Sequence, residues 1–279
     1  MPSRSSFTAA AMAAAGIVTS LVVLAALERP AQASPRPLPV TYIYETNGEG
    51  EAEIEQYVDM APVKANTTAG VPATTLRAQF QTEFEYGITD RLELGLYVTF
   101  VPEASQEFTN VSTMMEGNGS KQRLRYRIAD EGVLPIDIGL YGEVTENERD
   151  VELEARIILQ KRFGNLRAVA NLVGEHEFYY NGNSDWEINP SAGLSYQITP
   201  VYVPGIEYWN DTEWPNPAVH PRPRVLGPNH YVGPAMLFDF GKLWWSTGAY
   251  LRLNDFGDAP QVGDVFGSVY FRTVIGYGL

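Results

Sequence analysis

Cysteine is absent from the 279-residue chain. Its absence excludes a disulfide framework, a thiolate metal site, a cysteine nucleophile and a lipidated N-terminal cysteine. Histidine is scarce as well: His176, His220 and His230 are the whole supply, and they do not fall at metal-ligand spacing. Positive charge is short, with 20 basic against 34 acidic residues and a net charge of −14, so a nucleic-acid partner is not expected. Beyond the N-terminus no stretch approaches the roughly 20 apolar residues of a helical membrane span. No glycine-rich phosphate loop leads into a helix. No cofactor and no metal are expected.

The one long uncharged stretch stands at the start. Arg4 precedes an alanine-rich run to Leu27 that contains Leu21-Val22-Val23-Leu24, and Ala31-Gln32-Ala33 precedes Ser34. A positive charge, an apolar core and a small-residue exit are the parts of a secretory signal. Residues 1–33 are therefore expected to be a signal peptide cleaved after Ala33, residues 34–50 a periplasmic N-terminal segment, and residues 51–279 a transmembrane β-barrel. A permanent anchor is the competing reading of the first stretch, which is just long enough to span.

What the mature chain has in abundance is alternation. Leu76, Ala78, Phe80, Phe84, Tyr86 and Ile88 interleave with Arg77, Gln79, Gln81, Glu83, Glu85 and Gly87. Leu92, Leu94, Leu96, Val98 and Phe100 interleave with Arg91, Glu93, Gly95, Tyr97 and Thr99. A period of two gives strands with one apolar and one polar face. Twelve segments follow this rule, at 51–61, 74–88, 91–101, 121–129, 136–145, 151–162, 166–177, 186–198, 201–209, 230–240, 242–253 and 265–279. Their links sort by length. Thr89-Asp90, the Asp130–Pro135 stretch, Phe163-Gly164-Asn165, Thr199-Pro200 and Gly241 are short, whereas 62–73, 102–120, 210–229 and 254–264 are long; two links on the long side, at 146–150 and 178–185, are short but polar. Short periplasmic turns and long external loops mark an outer-membrane barrel. A soluble β-sandwich would also alternate, but its outward face would not carry Phe80, Phe84, Trp186, Tyr196, Trp245 and Phe271. Tyr86 and Tyr277 at one rim, and Phe100, Tyr208 and Trp186 at the other, suit aromatic girdles.

The last segment ends with Phe271, Thr273, Ile275 and Tyr277 outward against Arg272, Val274, Gly276 and Gly278 inward. It resembles the terminal assembly signal of outer-membrane barrels, with leucine where phenylalanine is commoner. Residues Phe84–Val98, FEYGITDRLELGLYV, and Tyr42–Tyr57, with YIYET and EAEIEQY, resemble poorly characterised bacterial outer-membrane barrels of porin-like, transporter type. The outer-membrane barrel group named for phenol-degradation pathways is among them. The resemblance implies a location in the outer membrane of a Gram-negative bacterium and a transport-like role. It carries over no functional residue.

The inward positions hold the candidate chemistry. They are Glu53, Glu55, Glu83, Glu85 and Glu93; Arg123, Arg125 and Arg127 at spacing two; and Asp137, Glu143, Glu152 and Glu154. Two readings stand. An arginine ladder facing acidic walls would set a pore's charge selectivity, or the same charges would fill the barrel as cross-strand ion pairs. Gly95, Gly139, Gly193 and Gly248 are expected to leave room on the lumen face. An outer-membrane lipase would need His176 beside a serine such as Ser184 or Ser191 with an orienting group, and no motif binds them. Arg222 and Arg224, in the proline-rich stretch 210–229, are candidates for contact with lipopolysaccharide phosphates.

The expected function is a passive porin-like channel for small solutes, not an enzyme. An outer-membrane enzyme acting on lipid or a surface polymer and a sealed structural or adhesion barrel are the alternatives. The expected partners are outer-membrane lipids, the barrel-assembly machinery and small solutes.

Overall fold

The computed structural model describes residues 34–101, 108–109, 118–215, 226–254 and 267–279. The strands in chain order are β1 (Ala52–Thr67), β2 (Pro72–Thr89), β3 (Leu92–Phe100), β4 (Phe108–Thr109), β5 (Gly119–Arg127), β6 (Asp137–Asn147) and β7 (Asp150–Phe163). They continue as β8 (Leu166–Tyr179), β9 (Ser184–Ile188), β10 (Ser191–Tyr196), β11 (Tyr202–Pro215), β12 (Leu226–Asp239), β13 (Leu243–Arg252) and β14 (Val269–Gly278).

All pairings are antiparallel, and the ring closes where β1 meets β14, with Glu53 opposite Gly278 and Met60 opposite Phe271. β9 and β10 both lie between β8 and β11, so they are two halves of one wall strand. The break falls at Asn189-Pro190, where proline has no N–H to give the ladder. The two-residue β4 pairs only with the far end of β1 and stands outside the ring. The wall is therefore a closed twelve-stranded barrel. Closure gives every described wall strand a partner on both sides, which is the condition for crossing lipid with strands.

The distribution of polarity is the reverse of a soluble domain. Leu96, Val98, Phe100, Leu124, Leu172, Trp186, Ile206 and Trp245 are exposed on the outer face. Glu53, Glu83, Glu93, Arg123 and Arg125 are buried on the inner one. An apolar belt outside and charge inside fit a bilayer and no aqueous setting. Short turns gather on one rim. Asp90-Arg91 is one of them, held by Thr89, whose hydroxyl accepts the N–H groups of Arg91 and Leu92. Gly241 is another, at a φ of 89° that side chains rarely adopt.

Several boundaries differ from expectation. β1 runs on to Thr67 and β2 begins at Pro72, so the expected 62–73 loop shrinks to four residues. The reason is a local change of rule, for Ala61, Val63 and Ala65 are buried at inward positions, and Ala61 and Val63 pack on the lumen aromatics. Apolar-out patterning therefore ended the segment too soon. The expected 186–198 strand is interrupted, as described. Arg222 and Arg224, with His220, lie outside the described residues.

The largest difference concerns residues 34–50, expected in the periplasm. They fold back into the lumen. Leu38, Ile43 and Tyr44 are buried there, and Tyr42 reaches the centre.

Candidate functional site: the lumen

The lumen divides into two halves, and strand register builds each of them. Toward the short-turn rim, β2, β3 and β5 carry Glu83, Glu85, Glu93, Arg123 and Arg125 at alternate positions, all aimed inward. Arg123 is the hub. Its guanidinium binds Glu83 at 2.5 Å, Glu93 at 2.7 Å and Glu85, and its Nε donates to the Tyr97 hydroxyl at 2.9 Å. Arg125 shares Glu93 at 2.8 Å. With Arg123 fully inaccessible, these are desolvated pairs, whose value depends on every partner being in place. The ladder ends at Arg127, which donates to the Asp90 carbonyl near the rim.

Residues 34–50 complete this half. Arg36 pairs with Glu55 and donates to the Tyr57 hydroxyl. The Val40 and Thr41 N–H groups donate to Glu207. Tyr42 is clamped by one amide: its N–H donates to Asn171 Oδ1 at 2.8 Å, and Asn171 Nδ2 donates to its carbonyl at 2.9 Å. Asn47 N–H donates to Glu93 at 2.6 Å. Glu45 accepts from Arg162 at 2.7 Å and Arg167 at 2.8 Å. Burial works to raise the Glu45 pKa, but the two guanidiniums and its hydrogen bonds outweigh that and hold it below the ordinary carboxylate value.

The expected open space at the inward glycines is filled. A Cβ on Gly95 would lie 2.6 Å from Arg123 Nε, and one on Gly193 would lie 2.6 Å from Leu38 Cδ1. Gly248 is covered by the Tyr250 ring, and Gly139 lies against Ile158. These glycines are seats for large side chains, and Gly193 with Gly205 is the seat for Leu38.

Toward the long-loop rim the lumen opens into a cavity of about 220 Å3, whose floor is Val40 and Tyr42. Its two sides differ in kind. One side belongs to β6, β7, β8 and β9, where Glu143 faces Glu154, Glu154 faces Glu175, and Glu175 faces Glu187 in direct cross-strand register. Like charges in that relation repel. Partial relief comes from Arg156 on Glu154 at 2.6 Å, Lys121 on Glu143 at 3.5 Å, and Asn189 Nδ2 on Glu187 at 2.7 Å and Glu175 at 3.2 Å. The break at Asn189 is what turns its amide into that position. The opposite side is aromatic. Trp209 stacks on Tyr231 at 4.1 Å, with Tyr250 and Tyr270 against its ring. A smaller cavity of about 140 Å3 lies on the other side of the N-terminal segment, beside Pro35 and Pro37.

Each expected lumen residue thus has a place. Glu53, Glu55, Glu83, Glu85, Glu93, Arg123 and Arg125 come together in the inner cluster. Glu143, Glu152 and Glu154 meet at the cavity wall. Asp137 stands apart, accepting the Gly132 N–H near the short-turn rim. Sequence reasoning missed Arg36, Tyr42, Asn171 and Glu207, which hold the inserted segment. Residues 34–50 have no periodicity to betray them. Glu175 and Glu187 were missed too, although their alternation with Leu172, His176 and Trp186 would have supplied them.

The lipase constellation does not form on the described face. His176 points outward and is stacked on Trp186 at 3.9 Å with Phe178 at 4.0 Å. Ser184 lies opposite Phe178, and Ser191 is buried on the inner face.

A closed ring with lipid-type residues outside and a charged interior decides the class. The chain is a transmembrane β-barrel. No protein-family model and no curated protein sequence matches it. Among solved structures the barrel is similar to the KdgM porin, at 8% identity and a TM-score of 0.49, covering 81% of this chain and 99% of that one. It is also similar to a deletion mutant of the TodX monoaromatic hydrocarbon channel, at 10% identity and a TM-score of 0.40, covering 84% and 91%. The third is the outer-membrane protein OprG of Pseudomonas aeruginosa, at 10% identity and a TM-score of 0.25, covering 85% and 99%.

Proposed function

We propose that the barrel is a passive channel for small solutes, made by an exported precursor, and that its outer cavity favours cations. The observation that carries this reading is the in-register row Glu143, Glu154, Glu175 and Glu187 on the cavity wall. A protein has no structural reason to place like charges directly opposite one another, whereas a charged ring in a pore concentrates the counter-ion. The wall across from it carries Trp209 and Tyr270, with Arg272 over the Tyr270 ring and paired to Asp59 at 2.6 Å. The arginine ladder has a different part. Arg123 and Arg125 are consumed in neutralising Glu83, Glu85 and Glu93, so the selectivity expected of them passes to the glutamates.

Planar-bilayer recording of the refolded mature chain tests the proposal. A salt gradient should give a reversal potential of cation-selective sign. The triple substitution Glu154→Gln, Glu175→Gln, Glu187→Gln should lower the cation-to-anion permeability ratio about threefold. An anion-selective channel, or a ratio unmoved by the triple substitution, rejects the assignment. A second reading, a sealed structural barrel, is favoured by one observation: residues 34–50 fill the inner half of the lumen. It predicts no conductance until that segment is released.

A further inference from the structure

Of the five inner carboxylates, four have a guanidinium: Arg36 on Glu55, and Arg123 on Glu83, Glu85 and Glu93. Glu53 has none, and neither has Glu207, whose donors are the Val40 and Thr41 N–H groups and the Tyr250 hydroxyl. Glu53 is fully buried, yet its partners are two N–H donors. One is the indole of Trp244, which reaches it over Gly276. The other is the backbone nitrogen of Ser34, 2.8 Å from Glu53 Oε2. Ser34 is also the residue that follows Ala31-Gln32-Ala33, the small-residue exit of the leader.

We propose that Glu53 is the receptor for the α-ammonium group that leader cleavage creates at Ser34, so that processing itself locks the inserted segment. Signal peptidase and one water break the Ala33–Ser34 amide bond. The acyl carbon of Ala33 takes the hydroxyl and leaves as a carboxylate. The Ser34 nitrogen keeps the electron pair of the broken bond, takes up the protons and becomes an ammonium at neutral pH. A neutral amide donor beside Glu53 thereby becomes a cation at the same atom. A buried carboxylate with only neutral donors is costly, and a hydrogen-bonded cation at the same place offsets part of that cost. Arg36, two residues on, then carries the segment to Glu55. The two adjacent inward glutamates of β1 thus take the two positive charges at the head of the mature chain. In the precursor the first of those charges does not exist, and residues 34–47 are held more loosely until export is complete.

The experiment compares two refolded chains in detergent, one beginning at Ser34 and one retaining Ala31-Gln32-Ala33, each with and without Glu53→Gln. Amide hydrogen exchange over residues 38–47 is the readout. Glu53→Gln should speed exchange about tenfold in the chain that begins at Ser34 and less than twofold in the extended chain. An equal effect in both chains, or none in either, overturns the proposal. A measurement on the unsubstituted mature protein needs no variant to fold. Its Ser34 amine should react with a small acylating reagent at least tenfold more slowly when folded than in denaturant, and equal rates overturn the proposal. Native protein from the outer membrane should begin at Ser34 on N-terminal sequencing; a different first residue also overturns it. None of these measurements reads conductance, so their outcome is independent of the channel assignment.

Discussion

The two halves of the lumen hold similar residues, acids in excess in both, in different arrangements. In the inner half Arg123 hydrogen-bonds several acceptors, Arg125 shares one of them, and the inserted segment fills the space beside them. In the outer half the carboxylates outnumber the cations around an open cavity. Both are made by the same device, alternate strand positions carrying charge, so composition does not separate them. The difference is geometric. Arg123 and Arg125 stand in register with Gly95, Glu93 and Glu143, where a long side chain crosses to several acids at once. Glu154 and Glu175 face other acids. One half gathers its acids around a shared arginine, and the other leaves them side by side on the cavity wall.

That contrast breaks most visibly at Arg123. Replacing it with Met should leave Glu83, Glu85 and Glu93 buried without their hub and cost about 3–5 kcal/mol, read as a lower urea midpoint in detergent. A loss under about 1 kcal/mol would mean that the inner half is wetter than described. Gly193→Val comes next. It drives two methyls into the Leu38 seat and should cost about 1–3 kcal/mol of overpacking, felt chiefly as faster exchange over residues 38–47 and a larger single-channel conductance. Unchanged exchange would separate the segment from its seat.

The third effect is that of pH on the segment. Because Glu45 is held below its ordinary value of 4.5, its ion pairs with Arg162 and Arg167 contribute fully above that value. Their contribution declines as pH falls through the lowered value. Protection of residues 40–47 should therefore be flat from pH 8 to 5 and weaken only in stronger acid, and Glu45→Gln should remove the Glu45 part of that acid sensitivity. The smallest effect belongs to the rim. Arg91 pairs with Asp130 at 2.8 Å with both side chains exposed, and Arg91→Ala should leave the urea midpoint in detergent unchanged.

Much of the fold was legible because lipid and lumen impose a strict period of two. The segment containing Leu92, Leu94 and Leu96 could be read in one way only. The reading faltered where that rule relaxed. Ala61, Val63 and Ala65 are apolar and inward, so β1 looked shorter than it is. Asn189-Pro190 broke a strand that composition left whole. The glycines were read as empty space because an absent side chain says nothing about which neighbour moves in. For Gly193 that neighbour is Leu38, far away in the chain.

The alternation of residues 51–279 by itself determined a barrel, its approximate strand number, its inside and its outside, since a one-residue shift would turn every charge into lipid. Only the tertiary structure decided which charges neutralise one another and which are left facing the cavity, because that depends on cross-strand register. It also decided that residues 34–50 lie inside. An aperiodic segment has no face of its own, and its position is set by the carboxylates, amides and glycines that the closed wall presents to it.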